Sequence, residues 1–90
     1  LPDNFNLRQN YPNPFNPVTN IEFSIPKTSQ VSLVVYDIAG KEVKRLLNNI
    51  NYNAGYHKVI FSGSELSSGI YFYKLSTDGF TDMKKMILLK

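Results

Sequence analysis

Tyr11-Pro12-Asn13-Pro14-Phe15-Asn16-Pro17-Val18-Thr19-Asn20-Ile21-Glu22-Phe23-Ser24-Ile25-Pro26 changes character halfway along. Its first half is a stiff leader. Pro12, Pro14 and Pro17 each fix φ, and each pushes the residue before it (Tyr11, Asn13, Asn16) toward an extended conformation. Phe15 sits between two Asn-Pro steps, so a rigid segment carries one aromatic anchor. From Val18 the pattern becomes Ile21, Phe23, Ile25 with Asn20, Glu22, Ser24 between them. That alternation has the period of a half-buried strand. None of this is reaction chemistry. It reads as the start of a β module, with residues 1–17 as leader and edge segment and 18–90 as the body of one domain.

Working outward, strand follows strand with no convincing helix. Residues 30–37 are β-branched and alternate through Val31, Leu33 and Val35. Asp37-Ile38-Ala39-Gly40 reads as a type I turn, with Asp37 bonding the turn backbone and Gly40 tolerating positive φ. The return strand, about 41–47, turns Val43 and either Leu46 or Leu47 inward, with Lys41, Lys44 and Arg45 outward. Asn48 to Asn53 is asparagine-rich, ends at Ala54-Gly55, and is expected to be a loop. Residues 56–61 place His57, Val59 and Phe61 on one face. Residues 69–76 place Tyr71, Tyr73 and Leu75 on one face, with Ile70 and Phe72 on the other. Asp78-Gly79 is a hairpin signal, and Phe80 to Leu89 is the closing strand. Six or seven short strands at this spacing predict an all-β, immunoglobulin-like antiparallel sandwich. Leu66-Ser67-Ser68-Gly69-Ile70-Tyr71 has the spacing of a tyrosine corner, in which the phenol bonds backbone a few residues upstream.

Ninety residues suffice for one core, with six Tyr and six Phe carrying much of the burial. No cysteine is present, so disulfides and thiolate metal sites are excluded. The net charge of +3 is mild, and the lysines are scattered except at Lys84, Lys85 and Lys90. A nucleic-acid partner is not expected, because basic residues do not gather on one face beside exposed aromatics. No run approaches the roughly 18 apolar residues of a membrane span. No signal-peptide pattern opens the chain and it does not begin with Met, so it reads as a piece of a longer polypeptide.

The search for catalytic groups is short. His57 is the only histidine and no oriented partner is signalled near it, so a packed or hydrogen-bonded role is expected. Asp37 and Asp78 belong to turns, and no acid pair has the spacing of a dyad. No loop is acidic enough for calcium. Ser62-Gly63-Ser64 is not a nucleophile elbow, and Gly-rich phosphate loops are absent. The chain is expected to be no enzyme and to need no cofactor. What remains is surface. Val34, Tyr36, Ile70 and Phe72 form second apolar rows on their strands. The closing strand is apolar on both faces, with Met86 and Leu88 on one and Ile87 and Leu89 on the other. One sandwich has one interior, so some of these residues must face outward, to be covered by a partner or by the leader.

These blocks together resemble the type A C-terminal sorting domain of the Bacteroidetes-type type IX secretion system. The resemblance runs through Asn10-Tyr11-Pro12-Asn13-Pro14-Phe15-Asn16-Pro17, then Thr19, Ile21, Phe23 and Pro26. It continues through Val31, Leu33, Val35, Tyr36, Asp37, Gly40 and Val43, then Ala54-Gly55, His57 and Val59. Leu66, Ser68-Gly69, Tyr71, Phe72, Tyr73 and Leu75 follow, and Lys85-Met86-Ile87-Leu88-Leu89-Lys90 closes it. The family often carries Trp where this chain has Phe61, an apolar exchange. The immunoglobulin-like domain of flagellar hook-capping proteins shares much of the pattern, with a longer loop before its Ser-Gly-x-Tyr block.

The resemblance implies a domain that directs a larger cargo from the periplasm through the outer membrane to the cell surface or the medium. It implies recognition by the outer-membrane secretion machinery and removal by a sortase-like peptidase, which can attach the cargo to surface lipopolysaccharide. Carried over, the recognition residues are Gly69, Tyr71, Lys84, Lys85, Met86, Ile87, Leu88, Leu89 and Lys90. Tyr11 to Pro17, Asp37, Gly40 and Leu66 are its structural motif. An unpaired closing strand would also allow a homodimer by edge pairing. The alternative function is a non-catalytic accessory module, carbohydrate-binding or adhesive, with Tyr11, Tyr52 and Tyr56 as its aromatics. A structural part in a flagellar or adhesive assembly is a third reading.

Overall fold

The computed structural model describes residues 1–90 as seven strands and no helix. They are β1 (Asn6–Leu7), β2 (Val18–Ile25), β3 (Ser29–Asp37), β4 (Glu42–Tyr52), β5 (Gly55–Ser62), β6 (Gly69–Thr77) and β7 (Phe80–Leu88). All strand pairs are antiparallel. One sheet has the order β1-β2-β5 and the other β4-β3-β6-β7. The two sheets form the expected immunoglobulin-like sandwich. Alternation dictates the layering. Ile21, Phe23 and Ile25 of β2 face Val31, Leu33 and Val35 of β3, with Tyr71, Tyr73, Leu75, Met86 and Leu88 completing the same core.

Local chemistry explains the turns. Asp37 Oδ1 accepts from the Ala39 N–H at 3.0 Å and the Lys41 N–H at 2.9 Å, and Gly40 takes φ +85°. Thr77 pairs with Phe80 across Asp78-Gly79, with φ +74° at Gly79. The Tyr71 hydroxyl donates to the Ser67 carbonyl at 2.7 Å, so the tyrosine corner is formed.

One expectation is corrected. The asparagine-rich stretch is not a loop as far as Asn53, because β4 continues to Tyr52. Asn49 adopts φ +52°, a conformation that asparagine tolerates better than most residues. Its N–H donates to Ser32 Oγ at 3.1 Å, and Ser32 Oγ in turn donates to Asn49 Oδ1 at 3.1 Å. The register of β4 slips between Val31 and Leu33 and again beyond it. A bulged strand breaks strict alternation, which is why Leu46 and Leu47 are both half-buried instead of one facing in.

The leader is packed into the sandwich. Phe15 is 1% exposed and meets Phe61 edge-on at 6.0 Å between centroids. The Tyr11 N–H donates to the Asn20 carbonyl at 3.0 Å, and the Asn20 N–H donates back to the Tyr11 carbonyl at 2.9 Å. The Asn10 side chain donates to Thr19 Oγ1 at 3.0 Å, and the Thr19 hydroxyl donates to the Pro12 carbonyl at 2.8 Å. Buried Asn10 and Thr19 thereby satisfy one another and the proline-rich backbone, which has lost donors of its own. The leader is therefore part of the folded domain.

Candidate recognition surface

The closing strand β7 is the outermost strand of the four-stranded sheet, and what lies along its outer edge determines how another molecule can approach it. In an antiparallel pair every second residue points its peptide groups away from the partner. In β7 these are Thr81, Met83, Lys85 and Ile87. The leader meets them. Gln9 Nε2 donates to the Lys85 carbonyl at 2.7 Å, and the Ile87 N–H donates to Asn13 Oδ1 at 2.9 Å. The Phe15 N–H donates to the Ile87 carbonyl at 2.9 Å, and the Leu89 N–H donates to the Phe15 carbonyl at 3.0 Å. Phe15 and Leu88 thus form a parallel bridge. Farther up, the Met83 N–H donates to Asp82 Oδ1 at 2.9 Å. The edge expected to lie open is closed over Lys85–Leu89, and free peptide groups remain only within Thr81–Lys85.

Two further contacts lock the strand. Tyr73 is fully buried; its hydroxyl donates to the Arg8 carbonyl and accepts from the Asn10 N–H, each at 2.7 Å. Burial pushes its phenol from 10.0 up to about 12, against the opposing effect of the bond from Asn10. Gly63 provides the other contact. A Cβ there would lie 3.0 Å from Leu88 Cδ2 and 3.4 Å from the Phe15 ring, so glycine lets both pack closely on its backbone.

The residues singled out for recognition therefore divide by face. Met86 and Leu88 are fully buried, and Tyr71 is nearly so. Ile87 is half-buried, and Lys85 and Leu89 are exposed. Together with Met83 these three form the outward row of β7. Half-buried Lys84 lies 4.0 Å from Asp82. Lys90 is exposed but tethered. Its Nζ donates to the carbonyls of Ser64 at 2.7 Å and Leu66 at 2.9 Å, and its N–H donates to Ser68 Oγ. The chain end is thereby tied to the link that carries Leu66 and leads into Gly69 and the tyrosine corner. Asp37 is in register with Tyr71, and with Gly40 it serves its own turn.

The outward row of β7 continues onto the outer face of its sheet. Lys85 is in register with Phe72, and Phe72 with Tyr36; Met83 is in register with Lys74, and Lys74 with Val34; Ile87 pairs with Ile70. No element of the chain is layered over this face, and Lys74 Nζ stands 5.6 Å above the Tyr36 ring. The other sheet presents Tyr56 and Ile60. Tyr52 turns inward against Phe23 and His57, so Tyr11, Tyr52 and Tyr56 do not share one surface. A polar groove of about 930 Å³ beside β5 is lined in part by Phe5, Arg8, Glu22 and His57. His57 Nε2 lies 2.8 Å from the Asn53 carbonyl and its ring stacks near Phe23, so it is the packed residue that its strand pattern predicts.

Sequence reasoning missed Gln9 and Asn13 as clamps on β7, and Asn10 and Tyr73 as the buried tie that seats the leader. The available signal was the amide-bearing residues interleaved with prolines, which supply the donors and acceptors that the prolines remove.

Compared with known proteins, the chain matches the secretion system C-terminal sorting domain over residues 9–89. No curated protein matches it, and no solved structure matches it. The match begins at Gln9, the first clamp residue, and ends at Leu89, the last residue bridged by the leader. It takes in the contacts of Gln9, Asn13 and Phe15 with the closing strand, while the stack of Phe5 on Phe80 and the tethers of Arg8 and Lys90 fall outside it. Such domains are sorting signals, non-catalytic in general, that the type IX secretion machinery recognises so that cargo leaves through the outer membrane or stays at the cell surface. The chain belongs to the secretion system C-terminal sorting domain family.

Proposed function

We propose that the machinery reads this domain through the side chains of its closing strand and not by adding a strand to it. The reading surface is the outward row Lys85, Ile87 and Leu89, with Lys84 and Lys90 beside it. Gly69, Tyr71, Met86 and Leu88 act from within, by holding that row in register. The observation that carries this is the clamp. The peptide groups of Lys85–Leu89 are largely engaged by the leader, which leaves side chains as the legible feature. Cargo waiting in the periplasm is addressed by this surface, and a sortase-like peptidase then removes the domain. A second copy pairing along β7 would have only Thr81–Lys85 to bond.

The test uses a carrier protein with this chain at its C-terminus, expressed in a host with the secretion system. Deleting residues 84–90 would also remove core side chains, so outward substitutions are cleaner. Lys85→Glu, Ile87→Asp and Leu89→Asp are expected to leave carrier in the periplasm while the melting temperature holds. Normal delivery of all three would reject the reading.

A further inference from the structure

We infer that the outer face of the four-stranded sheet is a second docking surface, for a protein segment that presents a large apolar side chain flanked by carboxylates. The inference goes beyond the closing-strand reading and stands apart from it, although the two surfaces adjoin through Met83 and Lys85. Toward the Asp37–Gly40 turn, Tyr36, Asp37, Ile38, Phe72, Lys74 and Met83 line a dent of about 230 Å³. Ile38 is 72% exposed and Met83 49% exposed. These are large apolar side chains held in the open on a small domain, where water is an unfavourable neighbour.

Charge selects the occupant. The acids on this face are already engaged: Asp37, at the rim of the dent, caps its turn, and Glu42 pairs with Arg45 at 3.0 Å. Lys41, Lys74 and Lys85 have no carboxylate within salt-bridge distance. The face is thus an apolar dent with unmatched ammonium groups around it, complementary to a segment with the reverse pattern. Face-to-face pairing of two copies would set these lysines against their own counterparts. A lipid surface would be met better by a protruding apolar ridge than by a recess, whereas a recess accepts a single protruding side chain.

The test again uses the carrier with this chain at its C-terminus and measures the delivered fraction. Ile38→Glu and Met83→Glu are expected to lower it about tenfold or more, the loss that follows when an interface anchor is removed. Lys74→Glu is expected to lower it further than Lys74→Gln. Ile60→Glu, on the other sheet, is expected to deliver normally. Ile38 sits in an exposed turn, so Ile38→Glu keeps the test sound if the β7 variant melts early. Normal delivery of the Ile38 and Lys74 variants would overturn the inference, as would an equal loss with Ile60→Glu. So would a wild-type dimer in sedimentation that Met83→Glu dissociates, or binding to anionic phospholipid vesicles that Lys74→Glu abolishes. The two surfaces fail separately. Loss with Leu89→Asp alone sinks this inference and keeps the closing-strand reading, while loss with the face variants alone does the reverse.

Discussion

The four-stranded sheet has two outer strands, and they are protected in opposite ways. At β7 the edge is filled by backbone and amide groups from Gln9, Asn13 and Phe15, more than seventy residues away in sequence. At β4 nothing is layered along the edge. That strand relies on register slips, on Lys44 and Arg45, and on asparagines, which make a poor template for another chain. A bulged, charged edge defends itself with local sequence. A closed edge needs a distant segment and must sacrifice conformational freedom to hold it, which the prolines of the leader reduce in advance. The contrast separates a strand that only has to avoid unwanted partners from one whose geometry must be kept.

The contrast is broken most severely at Phe15. Phe15→Ala empties a fully buried site and unseats the bridge to Leu88, with an expected cost of about 3–5 kcal/mol in chemical denaturation. Amide exchange at Ile87 and Leu89 is expected to accelerate more than exchange in β4. Next comes Tyr73→Phe, which leaves the Asn10 N–H buried without its acceptor and is expected to cost about 1–3 kcal/mol. The same residue gives a pH signature. Its phenol is raised in the folded state, so the stability it contributes is intact below pH 10.0 and falls as pH climbs toward about 12. In Tyr73→Phe that alkaline decline is expected to flatten, and an unchanged slope would assign it to other groups.

Gly63→Ala pushes the Leu88 side-chain end by a few tenths of an ångström and is expected to cost about 1 kcal/mol in a thermal melt, the low end of overpacking. Tyr71→Phe removes one hydrogen bond at the corner, about 1 kcal/mol. The smallest effect belongs to the other edge. Arg45→Ala removes an exposed pair with Glu42 and is expected to change stability by less than about 1 kcal/mol. A loss at Arg45 as large as that at Phe15 would erase the distinction between the two edges.

The fold was legible because its strands obey local rules. Ile21-Glu22-Phe23, Val31 to Val35 and Tyr71 to Leu75 alternate cleanly, and Asp37 to Gly40 and Asp78-Gly79 announce their turns. The extension of β4 through Asn48–Tyr52 was not legible, because asparagine usually signals a loop and only a partner such as Ser32 makes it tolerable in a strand. Of the proposed recognition surface, the closing residues came from the family resemblance. Their partition into core and exterior followed from alternation. The clamp did not, since hydrogen bonds between Gln9 and Lys85 or Asn13 and Ile87 have no local period to betray them.

Under the proposed removal by a peptidase, the neighbourhood of leader and closing strand limits where the cut can fall without unfolding the module. Leu7 lies in the core and Phe5 stacks on Phe80 at 5.3 Å. Scission between Leu7 and Phe15 would strip out a core side chain and unzip the closing strand. Scission upstream of Phe5 would leave the discarded module whole, so the shape of this domain itself marks the safe place to cut.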